Sequence, residues 1–81
     1  MAQLLRLQPV LSRIGQSRTQ HYNCVAAGLM TRPVQIGARA VAWPEHEVDA
    51  IIRARIAGKS SDEIRALVHR LHAARQAAAQ E

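Results

Sequence analysis

The apolar positions of this chain change period along its length, and those changes divide it into elements. Leu4, Leu5 and Leu7 form a short apolar entry that reads as an extended segment. Val10, Leu11 and Ile14 then fall at the spacing of one helix face. Pro9 suits the first turn of that helix, where its missing N–H breaks no intrahelical bond. Gly15 suits the end, because glycine tolerates positive φ. Ser17-Arg18-Thr19-Gln20 has the form of a capping box, in which the serine hydroxyl receives an amide and the glutamine reaches back. The second helix is expected to run to about Ala27 and to stop at Gly28.

From Arg32 to Trp43 the period shortens to two. Val34 and Ile36 alternate with Gln35, and Val41 and Trp43 alternate with Ala42. Gly37-Ala38-Arg39-Ala40 supplies the turn, so the stretch reads as a β-hairpin. The helical period returns after Pro44, with Glu45, Glu47 and Asp49 in the opening turns, where acids suit the positive end of the helix dipole. Val48, Ile51, Ile52 and Ile56 make its apolar stripe, and Gly58 closes it. Ser60-Ser61-Asp62-Glu63 opens a further helix with a second capping box. Ile64, Leu67, Val68 and Leu71 are its stripe. Ala73–Gln80 favours helix but has little left to bury, so fraying is expected there.

The pattern predicts a mainly α fold with a small β-hairpin. Helix, glycine-bearing turn, capped helix and hairpin form a winged helix-turn-helix over residues 1–57. A C-terminal helical extension over residues 58–81 belongs to the same compact unit or serves as a dimerisation element. Two readings of the Ile64, Leu67, Val68, Leu71 stripe stand: packing on the preceding helix, or a homodimer contact.

Composition narrows the function classes. At 81 residues the chain is one domain at most, and with no phenylalanine its core must come from Leu, Ile, Val and Ala around Trp43. The lone Cys24 cannot make an intrachain disulfide, which fits a reducing cytoplasm. No apolar run reaches the ~20 residues of a membrane span, and the secretory pattern of a basic region before a long apolar stretch is missing.

Charge is segregated. The first 43 residues carry Arg6, Arg13, Arg18, Arg32 and Arg39 and no acid, whereas the remainder balances six cations against six acids. The whole net charge of +5 therefore lies in the half that holds the helix-turn-helix and hairpin. A polyanion-binding half joined to a neutral structural half accounts for this.

Helix geometry separates two faces of the second helix. His21, Cys24, Val25 and Gly28 share a stripe that is small or apolar and is expected to pack inward. Arg18, Thr19, Tyr22, Asn23 and Ala26 lie outside it and carry the groups that base edges and phosphates accept. The expected DNA-contact set is Ser17, Arg18, Thr19, Tyr22 and Asn23, with Arg32, Gln35 and Arg39 from the hairpin and Arg6 from before the first helix. Phosphate anchoring falls to Arg6, Arg18, Arg32 and Arg39, and base reading to Thr19, Tyr22 and Asn23. Trp43 is expected in the core rather than as a stacking platform.

Other chemistries fail on spacing. Gly58-Lys59-Ser60 resembles the end of a phosphate-binding loop, but position 53 is Arg53 rather than glycine and a helix precedes it. His21 with Cys24 supplies two of the four ligands a structural zinc needs. His69 and His72 share the same spacing and are expected to be solvated. No Ser/His/Asp or Cys/His set is persuasive, and the carboxylates sit at helix starts, where capping already explains them. No enzyme activity, metal or cofactor is expected.

Leu5-Arg6-Leu7, Gly15-Gln16-Ser17-Arg18, Tyr22, Gly28, Arg32-Pro33-Val34, Ile36-Gly37, Arg39 and Trp43-Pro44-Glu45 with Glu47-Val48 resemble the AlpA-type prophage regulatory proteins. The resemblance covers residues 4–53, and the Gly-x-Arg hairpin followed by Trp-Pro-Glu is its most specific part. Residues 54–60 with Glu63-Ile64-Arg65 resemble an extension found in some members. It implies a winged helix of the MerR and excisionase kind that binds double-stranded DNA and regulates transcription. Three positions depart from the family pattern: His21 replaces an aliphatic core residue, Asn23 a basic residue, and Thr31 a frequent proline.

Three functions follow as expectations. The first is a sequence-specific double-stranded DNA-binding transcriptional regulator of phage or prophage origin, working at the nucleoid in the cytoplasm. The second is an excisionase-like architectural factor that bends DNA. The third is a protein-interaction module built on the C-terminal helix pair.

Overall fold

A computed structural model describes residues 3–79. Strand β1 spans Leu4–Leu5, helix α1 Leu7–Ile14, helix α2 Arg18–Ala26, strands β2 and β3 Val34–Gly37 and Ala40–Pro44, helix α3 Glu45–Ile56 and helix α4 Ser61–Ala79. The fold is thus mainly helical, with a small antiparallel sheet.

Local signals explain most of the boundaries. Pro9 sits in the first turn of α1, and Gly15 ends it at φ +68 with its N–H on the Leu11 carbonyl at 2.9 Å. The Ser17 box is complete: the Gln20 N–H donates to Ser17 Oγ at 3.2 Å, and the Ser17 N–H donates to Gln20 Oε1 at 3.0 Å. The Ser60 box closes in the same way with Glu63. The Ser60 amide, and then its hydroxyl, hold the Glu63 carboxyl below its usual pKa.

The sheet has one strand more than the hairpin. β1 pairs antiparallel with β3, Leu5 opposite Trp43, so the order is β1-β3-β2 and β3 is central. The extended entry therefore ends at Arg6, and helix begins at Leu7. A central strand is covered on both edges, and Ala42, Trp43 and Pro44 are all buried. The β2–β3 register breaks between Gln35 and Gly37.

Trp43 anchors the core, as expected of it. It is fully buried, and its indole N–H donates to the Thr31 carbonyl at 2.9 Å. Leu5, Val10, Met30, Val48, Ile51, Ile64 and Val68 complete the buried cluster. Ile64 and Val68 are thereby used inside the chain. Of the two readings of their stripe, packing within the chain is the one they follow. Leu67 and Leu71 are only partly buried.

Three expectations change. Ile56 is 81% exposed rather than part of the α3 stripe. At about 100° per residue it lies roughly 40° beyond the half-buried Ile52 and 140° from the buried Ile51, so the stripe has turned away. The fraying expected over Ala73–Gln80 is not seen as far as Ala79, where α4 is still helical; Gln80 lies outside the described residues. His72 is half-buried rather than solvated, and its Nε2 accepts the Arg32 N–H at 3.1 Å.

Candidate nucleic-acid interface

Four of the expected contact residues meet in one place. The start of α1, the N-terminal half of α2 and the hairpin tip enclose a cleft of about 280 Å³ lined by Arg6, Arg18, Tyr22 and Arg39, with Leu7, Gln8 and Val41. Arg6 occupies the N-cap position of α1 with no side-chain cap, Arg18 is the first residue of α2, and Arg39 stands in the two-residue turn between β2 and β3. These arginines are 12 and 21 residues apart in sequence, and the packing of hairpin on helices collects them.

None of the three has an acidic partner among the described residues, whose acids are all engaged elsewhere. Arg13 takes Glu45 at 2.9 Å and Asp49 at 3.4 Å, Lys59 takes Glu63, Arg65 takes Asp62, and Arg75 takes Glu47. Of the five arginines in the basic half, Arg13 is thus neutralised by α3. The surplus charge is concentrated on Arg6, Arg18, Arg32 and Arg39. Three like charges around one cleft favour an anion there, and the N-terminus of α2 points the same way.

Tyr22 is held differently from the exposed residues beside it. It is half-buried, 6.2 Å from the Trp43 ring centroid at 61° and 5.3 Å from that of His21 at 67°. Edge-to-face packing fixes the ring at the cleft wall. Thr19, Asn23 and Ala26 are exposed along the adjoining stripe of α2, outside the cleft. Ser17 is engaged as the helix cap.

The other hairpin residues are placed apart. Gln35 turns its amide onto the Gly37 carbonyl at 3.2 Å and so braces the bulged strand. Arg32 stands at the foot of the hairpin with its side chain exposed, while its backbone is held at both groups: its N–H by His72 and its carbonyl by Arg75 at 2.8 Å.

The inward stripe of α2 packs as its pattern predicts. His21 is fully buried, and Cys24, Val25 and Gly28 are partly so. The His21 ring lies 4.7 Å from Trp43 at 71°. Among the described residues neither of its ring nitrogens has a hydrogen-bond partner, and burial pushes its pKa down. Cys24 Sγ accepts weak contacts from Gln16 at 3.6 Å and Arg55 at 3.7 Å.

Two contributions to the packing beneath this surface are not visible in the local sequence. Thr31 and Met30 are buried, although they belong to the link between α2 and β2. Glu47, by its position a helix-start acid, is fully buried, and its carboxylate is held by Arg75. Nothing local marks it, because the partner lies 28 positions away.

Among the described residues no group of three or more His, Cys, Asp or Glu side chains is arranged to hold a metal ion. No helix among the described residues is long and apolar enough to cross a membrane. No curated protein and no solved structure matches the chain significantly. A family model does match residues 3–56, described as the prophage CP4-57 regulatory protein (AlpA). That span holds the cleft, the capped helix and the hairpin, and it covers well over half of the sequence: the chain belongs to the AlpA family of prophage regulatory proteins.

Proposed function

We propose that this protein is a phage-derived transcriptional regulator that binds double-stranded DNA in a sequence-specific manner, at the nucleoid in the cytoplasm. The observation that carries the reading is the cleft in which Arg6, Arg18 and Arg39 stand together, without acidic partners among the described residues. Membership of a regulatory family supports it and favours a non-enzymatic role.

In this reading the N-terminal part of α2 enters the major groove. Thr19, Tyr22 and Asn23 read base edges, and Arg6, Arg18 and Arg39 hold the phosphates that line the groove. Ser17 accepts the Gln20 amide and keeps its hydroxyl proton for a phosphate oxygen. Arg32 holds a fourth phosphate at the foot of the wing, and Gln35 stiffens its strand.

Selection of bound sequences from random duplex DNA, followed by mobility shifts across a salt series, tests this. A defined enriched site is expected. With four arginines on phosphates, log K should fall against log salt with a slope of roughly −3 to −4. No enrichment together with a shallow slope overturns the proposal.

A further inference from the structure

Helix α4 lies outside the family match at residues 3–56, yet it reaches residues that flank both elements assigned to DNA. Arg65 Nε donates to the Ala27 carbonyl at the end of α2, 3.0 Å away. Two turns further on, His72 accepts the Arg32 N–H at 3.1 Å, and Arg75 donates to the Arg32 carbonyl at 2.8 Å. Residues 65, 68, 72 and 75 share one face of a helix, and Val68 between the polar contacts is in the core. One rigid face thus spans from the end of α2 to the foot of the hairpin. The Arg75 guanidinium is itself aimed by the buried Glu47 carboxylate, with Nε 2.8 Å from Oε2.

We infer that α4 is a splint that sets the position of the wing relative to α2, with His72 and Arg75 acting as positioning residues for Arg32. Both polar groups of the Arg32 backbone are taken by α4, while its side chain stays exposed. The backbone is therefore fixed and the guanidinium left for a ligand. A helix end needs a donor for its last carbonyls, and Arg65 supplies one to α2 without consuming a DNA-facing group. The inference rests on the DNA-binding reading above, because it concerns how the contact groups are held.

The test uses the full chain and the duplex selected for the wild type. His72→Ala removes the acceptor and His72→Gln restores one through its amide oxygen. Each is made alone and together with Arg32→Ala, with folding checked by circular dichroism at the assay temperature. His72→Ala is expected to weaken binding about three- to tenfold, His72→Gln to recover most of that, and His72→Ala to add nothing once Arg32 is alanine. Equal loss from His72→Ala with and without Arg32 overturns the splint but leaves the DNA reading intact. So does wild-type affinity in His72→Ala. If His72→Ala fails to fold, Arg75→Lys replaces it in the same cycle, and additivity with Arg32→Ala again overturns the inference. A wild-type chain that binds no duplex brings down the DNA reading, and the inference with it.

Discussion

Arg75, near the end of the last helix, holds the fully buried carboxylate of Glu47, in the first turn of the preceding one, through two nitrogens, with Nε 2.8 Å from Oε2. The same guanidinium reaches the Arg32 carbonyl, so one side chain joins α3, α4 and the approach to the hairpin. A buried charge is tolerated only when it is paired and hydrogen-bonded.

Arg75→Met should therefore be costly, since it strands the Glu47 carboxylate in the core. The expected loss is about 3 kcal/mol, a large part of the stability of a domain this small. Replacing both residues by leucine should lose much less than Arg75→Met alone. Urea unfolding of the two variants checks this, and equal losses would show that the pair is not coupled.

The Trp43 indole N–H on the Thr31 carbonyl can be isolated with Trp43→Phe. That change keeps an aromatic ring in the core but removes the donor and some volume. The expected cost is about 2 kcal/mol, the sum of a stranded buried carbonyl and a small void. The midpoint of urea unfolding should fall with little change in slope.

Histidine makes stability depend on pH. Burial lowers the pKa of His21; burial lowers that of His72 as well, assisted by Arg32 and Arg75. A base with a depressed pKa in the folded state binds its proton more readily when unfolded. Stability should then be complete above about pH 6.5, the ordinary histidine value, and should fall as the pH drops below it. His21→Leu removes two buried nitrogens without partners and should stabilise the fold by about 1 kcal/mol near neutrality. It should also flatten the acid limb, leaving a residual slope from His72. An unchanged profile in His21→Leu would assign the acid sensitivity elsewhere.

For the contact surface, Arg39→Ala should weaken DNA binding across sequences and reduce the salt slope by about 1, as expected of a phosphate contact. Arg18→Ala, at a second phosphate contact, should weaken binding to a similar extent across sequences; a loss of selectivity at one position, costing on the order of 1–3 kcal/mol, would instead assign Arg18 to a guanine. Mobility shifts with the selected duplex and with single-base variants separate the two. Unchanged affinity in both variants would place the contact surface elsewhere.

Much of the architecture was legible in the order of residues. The Ser17 and Ser60 boxes, Gly15, Gly28 and the hairpin turn act over a few residues, so their geometry is written locally. The inward position of His21 followed from helix spacing, as did the burial of Val10, Val48, Ile51, Ile64 and Val68. The charge segregation pointed to Arg6, Arg18, Arg32 and Arg39, but not to which of them meet. Periodicity reports a face of one element; it carries no information about the neighbouring element that shares a cleft.

What the sequence by itself determined, then, is the set of elements, their caps, most of the core and a basic half resembling a prophage regulatory family. The tertiary structure decided that β1 makes β3 a central strand, that Arg6, Arg18 and Arg39 share one cleft, and that His72 and Arg75 grip Arg32. The physical reason is range. A cap or a turn is satisfied within a few residues of chain, whereas a buried carboxylate or a free backbone amide takes whatever partner packing brings within about 3 Å. Here those partners lie 28 to 43 positions away.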